Sequence, residues 1–267
     1  MKLEGAHVVI TGASRGIGAA TARACALAGA RVTLLARSAA VEARAAEITA
    51  AGGRARAWRV DLTDAGAVAA TAGRILADGP VDVLVNNAGA GRFLSVAETP
   101  PEEAVAMMAS PYFAAYHATH AFLPGMLARR RGRVVTITSP ASRIVWPGAT
   151  AYTAARWALR GFDAALRADL AGTGVETMLV TPGKVASAYF ASNPGSEERL
   201  PRVARLIPTL SPEAVAAAIV SGLRRDKRDL VLPWQLRLLF AVHGLLPRPV
   251  DALMVRTGWR PAGDEGS

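Results

Sequence analysis

Tyr152 and Arg156 stand four residues apart in the stretch AYTAARWAL, residues 151–159. That spacing puts both side chains on one face of a helix. A phenol beside a permanent cation is a proton-transfer pair. A free Tyr has a pKa of about 10, too high for efficient exchange near neutrality, and a nearby positive charge favours the phenolate. Such a group can hand a proton to a carbonyl oxygen while hydride reaches the carbon. Ser139 lies thirteen residues before Tyr152, at the end of the apolar run GRVVTITS. Pro140 follows it and holds Ser139 in an extended conformation. Ser142 replaces Ser139 only if that turn is rearranged.

Other reactive side chains offer less. Cys25, the single cysteine, falls in the apolar stretch ATARACALAGA and reads as a small core residue. His117 and His120 have no acid-rich or Cys-rich partner segment, so no metal site is expected and a helix–helix contact is their simpler use. Asp163 and Asp169 read as surface charges of a helix.

The elements that must position Ser139 and Tyr152 alternate along the chain. HVVITG, RVTLLAR, RARAWRVDL, VDVLVNNAG, GRVVTITS, GVETMLVTPG and RDLVLP read as seven strands. Helices are expected at about 17–28, 39–51, 65–78, 101–130 and 150–171, and another opens at Ser211 and Pro212 with Ser211 as its cap. This alternation predicts an α/β fold with a parallel sheet covered on both faces. No repeat or linker divides the chain. Residues 1–232 are expected to form a dinucleotide-binding and catalytic unit, and 233–267 a helical extension of the same domain.

TGASRGIG follows the first strand and opens the first helix. A helix N-terminus there, with Gly12, Gly16 and Gly18 admitting close backbone approach, suits a pyrophosphate. TGASRGIG, Asp61-Leu62, NNAG at 86–89, Ser139, Tyr152 and PGKV at 182–185 form an ordered set over about residues 5–190. In it the chain resembles the short-chain dehydrogenases/reductases. The resemblance implies a Rossmann-type doubly wound sheet of order 3-2-1-4-5-6-7, a nicotinamide dinucleotide and a homodimer or homotetramer. It assigns Gly12, Ser14, Arg15, Gly16, Ile17 and Gly18 to the phosphates and Asp61 with Leu62 to the adenine. Asn87, Ala88 and Gly89 would shape the cofactor floor. Pro182, Gly183, Val185 and Ser187 would hold the carboxamide. It makes Tyr152 the general acid/base and gives Ser139 the carbonyl oxygen.

Two positions depart from the family. Arg156 stands where it has a Lys that supplies the cation and holds the nicotinamide ribose. Arg keeps the charge but presents a bulkier planar fork, so the exchange is not conservative. Pro111, beside Ser110, stands where the family often has a helix Asn associated with a relay water. A mid-helix Pro kinks the chain and would free the Met107 carbonyl. Either that carbonyl preserves the water site or the kink carries no relay.

An acid after the second strand would accept from the ribose 2′-OH of NAD. The chain reads LLARS there, with Arg37 and no acid. Arg37 and Arg15 would pair with a 2′-phosphate, so NADP(H) is the expected cofactor. The implied activity is interconversion of a carbonyl and an alcohol on an apolar small molecule. Two alternatives stay open: a cofactor-binding protein with little redox activity, and a non-redox dehydratase or epimerase.

The chain has 267 residues, 51% hydrophobic, with a net charge of +10 carried mostly by Arg. The charge reads as solvated faces, RRRGR at 129–133 included, and no nucleic acid is expected because interleaved aromatics are missing. No signal peptide or apolar run of about 18 residues is present, so a cytoplasmic protein is expected. Residues 186–210 would form a substrate lid. The tail reads as two short helices broken by Pro247 and Pro249. It would cap a lipophilic pocket, dock on a membrane through 234–257 with Arg237, Arg248 and Arg256, or simply pack on its own domain or a subunit partner.

Overall fold

A computed structural model describes residues 1–260, and residues 261–267 of the expected extension lie outside it. Seven strands form the sheet: β1 (His7–Thr11), β2 (Arg31–Ala36), β3 (Arg54–Arg59), β4 (Val83–Asn86), β5 (Gly132–Ile137), β6 (Val175–Pro182) and β7 (Asp229–Leu232). All pair in parallel in the order 3-2-1-4-5-6-7. The central strands HVVIT and VLVN are buried throughout, as parallel strands covered on both faces must be. RARAWR at the edge is only half covered.

The covering helices are α1 (Gly16–Leu27), α2 (Ala40–Ala50), α3 (Ala65–Ala77), α4 (Pro101–Met108), α5 (Ala114–Ala128), α6 (Thr150–Asp169) and α7 (Pro212–Arg224). One layer packs Ala22, Cys25, Val41, Ile48, Val215 and Ile219 on the sheet, and the other packs Val68, Ile75, Ala118, Phe122, Met126 and Leu166. Cys25 is a core residue as expected, and burial pushes its thiol up to about 12. Ser211 caps α7, its Oγ accepting from Ala214 N–H at 3.0 Å. The tail forms α8 (Trp234–Leu245) and α9 (Pro247–Thr257), with both prolines in the first turn of α9.

Several expectations need correction. The single helix over 101–130 is two helices joined by a π-turn, Ala109–Phe113, with Pro111 buried inside it. Ala114 N–H reaches back five residues to the Ala109 carbonyl. Proline cannot donate to the four-residue ladder, and a widened turn accommodates the loss. Asp163 is not a surface charge. It is buried beside Arg167 at 2.9 Å, and burial raises its carboxyl to about 6. Arg133, the last arginine of RRRGR, is buried on β5 and pairs with Glu176 at 2.9 Å and Asp226 at 2.8 Å. Its alternation on an interior strand outweighs the local charge run. His120 is exposed and stacks on Tyr116, while His117 meets the Leu62 carbonyl at 3.1 Å. No metal-binding cluster occurs among the described residues.

Gly18 lies under the first turn. A Cβ there would stand 2.5 Å from both the Gly12 carbonyl oxygen and Asn87 Nδ2. Gly18→Ala should therefore lower stability by about 1–3 kcal/mol, visible as a melting temperature lower by roughly 2–10 °C. An unchanged melting temperature would show that the turn relaxes freely.

His7 opens β1 with Nε2 2.8 Å from Thr33 Oγ1 and Nδ1 3.1 Å from the Pro80 carbonyl. Burial, then Arg31, lowers its pKa from 6.5 to about 4. Between those values the unfolded ring binds a proton that the folded ring refuses, so His7 costs stability as pH falls. Asp163 acts with the opposite sign, gaining stability as pH falls from 6 toward 3.8. The difference between wild type and His7→Gln isolates the histidine. Denaturant midpoints at pH 7 and pH 4.5 should fall less on acidification in the variant.

Candidate active site

The sheet order reverses between β1 and β4, and an open crevice forms beyond the carboxyl ends of those strands. Asn87 pins its floor. The Asn87 side chain donates to the Thr11 carbonyl at 2.9 Å and the Gly12 carbonyl at 3.1 Å. Thr11 Oγ1 accepts from Asn87 N–H at 2.9 Å and Ala88 N–H at 3.0 Å. Gly12 and Gly16 hold φ of 64° and 57°, a region that favours glycine. The turn they make leads into the N-terminus of α1.

A cleft of about 1320 Å³ runs from this turn to the tail. Gly12, Ser14, Arg15, Gly16, Ile17, Arg37, Asp61, Leu62, Asn87, Ala88 and Gly89 line one side of it. Ser139, Tyr152, Arg156, Pro182, Gly183, Val185 and Ser187 line the other. Gly18 alone of the expected cofactor residues does not reach the cleft, because it is buried behind Asn87. Ser142 also lies off the lining. Its hydroxyl donates to the Ser139 carbonyl at 2.7 Å, which braces Ser139 instead of replacing it.

At the far end of the crevice Ser139, Tyr152 and Arg156 are all buried. Ser139 is extended, with φ of −148°, and its Oγ accepts from Ala141 N–H at 3.3 Å. The Arg156 guanidinium carbon lies 4.8 Å from the Tyr152 ring centroid. The same guanidinium rests on the Gly89 backbone, so that a Cβ at Gly89 would stand 3.0 Å from Nη1. Burial works against the Arg156 charge, but the facing phenols Tyr152 and Tyr189 outweigh it and hold its pKa above the ordinary value. Arg156 Nε is buried without a hydrogen-bond partner.

Tyr189 was not legible as part of this group beyond its place in the expected lid. Its hydroxyl donates to the Gly91 carbonyl. Burial and the neighbouring Tyr152 hold its phenol well above the usual range. Phe93 is a second residue the sequence did not mark. Its ring centroid is 4.7 Å from that of Tyr152. Neither sits in a motif, and only their apolar flanks could have flagged them.

Asp61 accepts from Thr63 N–H at 3.0 Å, and this bond, helped by the Thr63 hydroxyl and Arg37, keeps its pKa low. Arg37 lies 3.8 Å from Asp61 and is mostly exposed, while Arg15 donates to Ser192 at 2.8 Å. Residues 36–38, Ala-Arg-Ser, bring no acid to the cleft. Leu200, Val203, Leu236, Leu239 and Met254 also line the cleft, so α8 and α9 contribute residues to its wall.

The arrangement has known counterparts. The chain is 35% identical over 244 residues to dehydrogenase/reductase SDR family member 7B of Bos taurus, covering 85% of this chain and 73% of that one. An alcohol dehydrogenase from the archaeon Thermococcus sibiricus, solved with 5-hydroxy-NADP, superposes with a TM-score of 0.76 at 30% identity, over 86% of this chain and 96% of that one. A metagenomic short-chain oxidoreductase in complex with NADP superposes with a TM-score of 0.73 at 35% identity, over 87% of this chain and 98% of the other. The pattern described as short chain dehydrogenase matches residues 6–198. With the reversed sheet, the glycine turn and the Ser139–Tyr152 pair on one cleft, these likenesses establish that the chain belongs to the short-chain dehydrogenase/reductase family.

Proposed function

We propose that the protein is an NADP(H)-dependent oxidoreductase that interconverts a carbonyl and an alcohol on an apolar small molecule. The observation that carries this is the convergence of Ser139, Tyr152 and Arg156 at the inner end of the glycine-lined crevice. The residues present fit a dinucleotide: the turn at Gly12 and Gly16 is open to the cleft, and Arg156 Nε is an unspent donor at the other end. When bound, the nicotinamide supplies or accepts hydride. Ser14, Arg15, Gly16 and Ile17 would hold the phosphates. Asp61 and Leu62 would flank the adenine, and Pro182, Gly183, Val185 and Ser187 the carboxamide.

Ser139 and Tyr152 share the work at the substrate oxygen. The Ser139 hydroxyl donates a hydrogen bond to it, and the Tyr152 hydroxyl moves the proton to or from it. Arg156 sets a fixed positive charge against the Tyr152 ring in a buried site, where electrostatic interactions are strong. Phe93, Trp146, Phe190, Leu200 and Leu239 give the substrate end an apolar wall. That wall supports a lipophilic substrate.

The preference for NADP(H) rests on Arg37 and Arg15 beside the crevice and on the missing acid at 36–38. The Arg37–Asp61 pair is exposed and long, so it is weak and leaves Arg37 free for a phosphate. A homo-oligomer would form through the face of the π-turn, α5 and α6 that exposes Phe113, Tyr116 and Trp157.

Arg156 also favours a second reading, a cofactor-binding protein with little redox turnover. Its fork is wedged between Tyr152 and Gly89, and a lysine would leave that space freer.

Titration with NADPH and NADH and turnover on a panel of ketones separate these readings. Tyr152→Phe should keep NADPH binding and lose roughly 100-fold or more in kcat. Arg156→Lys should keep kcat within about tenfold of wild type, and Arg156→Leu should fall well below both. Reduction left intact by Tyr152→Phe would overturn the mechanism. Tight NADPH binding without turnover on the panel would support the second reading.

Arg37→Gln should raise the KM for NADPH by roughly tenfold or more and leave NADH nearly unchanged. An equal effect on both cofactors would remove Arg37 from the 2′-phosphate.

A further inference from the structure

The tail helices have two working faces. Leu236, Leu239 and Met254 turn inward and line the cleft. On the outer side, Trp234, Leu238 and Leu245 are 65%, 58% and 82% exposed. With Ala241 they recur at the spacing that shares one helix face. Leu246 at the corner between α8 and α9, and Leu253 and Val255 on α9, extend the exposed apolar surface. A run of this kind on a folded chain marks an interaction surface.

Charge identifies the partner. Arg237, Arg248, Arg256 and Arg260 are exposed on or beside the same surface. From residue 230 to 260 the only acid is Asp251, which His243 engages at 3.1 Å. An apolar stripe bordered by exposed arginines, its one acid engaged by His243, suits a plane that is apolar below and anionic above. That is the interface of a bilayer carrying anionic lipids. No helix among the described residues is long and apolar enough to cross a membrane, so the contact lies in the interface plane. The aromatic face of α5 and α6 is a separate surface, where Tyr116 stacks on His120.

We propose that α8 and α9 dock this protein on an anionic membrane surface through Trp234, Leu238, Leu245 and Leu246, bordered by Arg237, Arg248 and Arg256. Docking sets the apolar end of the cleft, walled by the inner faces of the same helices, against the lipid. The substrate class then becomes a carbonyl or alcohol dissolved in the bilayer. That last step rests on the redox reading, whereas docking itself does not.

The test is flotation of the full chain with vesicles of phosphatidylcholine alone and of phosphatidylcholine mixed with phosphatidylglycerol, at low and high salt. Wild type should float with the mixed vesicles, roughly tenfold more tightly than with neutral ones, and salt should weaken the binding. Leu238→Glu with Leu245→Glu should abolish flotation while leaving the melting temperature and NADPH binding unchanged. Arg237→Gln with Arg248→Gln should erase the preference for the mixed vesicles. Failure of wild type to float, or flotation that survives Leu238→Glu with Leu245→Glu, overturns the proposal. So does a halving of the solution mass in that variant without vesicle binding by wild type, which would make the face a contact between copies. None of these readouts involves turnover, so loss of the proposed reduction leaves the docking result intact, and the reverse also holds.

Discussion

The fold depends on one knot of hydrogen bonds where the sheet reverses. Thr11 Oγ1 donates to the Val85 carbonyl at 3.2 Å and accepts from Asn87 and Ala88 N–H. Asn87 returns two bonds to Thr11 and Gly12. The ends of β1 and β4 are thereby held at one separation, and the glycine turn stands at one height above the sheet. Each of these polar groups is largely shielded from water, so an unmade bond would cost more than an average one gains.

From that floor the remaining geometry follows by short connections. β5 delivers Ser139 at the same edge, and α6 returns with Tyr152 and Arg156 on the face that looks inward. The Thr138 hydroxyl donates to the Arg156 carbonyl at 3.2 Å and ties α6 to the end of β5. Two ion pairs, each with one buried partner, secure the opposite end of the sheet, Arg133 with Asp226 and Asp163 with Arg167. Neither reaches the cleft. Their contribution is to fix β5, β6 and α6 so that the site is not set by loops alone.

Much of this was legible in the chain. Strand and helix alternation set the sheet, and TGASRGIG, NNAG, Ser139 and Tyr152 each fall on the one cleft. What escaped was whatever depends on side-chain partners far away in sequence. Arg133 looks like a solvated charge until the turn before β7 supplies Asp226, and Asp163 looks like one until α6 packs its inner face on the sheet and buries it beside Arg167. Pro111 predicts a disturbed helix, yet whether the chain kinks or widens depends on what packs around it. Here Tyr112 and Tyr116 lie against Phe162 of α6. Phe93 and Tyr189 join Tyr152 from 59 residues before it and 37 after it, with no motif to announce them.

The bond from Tyr189 to Gly91 has a wider meaning for the site. Tyr189 belongs to the same segment as Phe190 and Leu200, which roof Phe93 and Tyr152. Gly91 follows directly on the crevice floor. Any displacement of that roof therefore withdraws one of the two phenols facing Arg156 and leaves the guanidinium with Tyr152 alone. The roof of the chamber and the packing around the guanidinium share one side chain, which ties the covering segment to the inner end of the crevice.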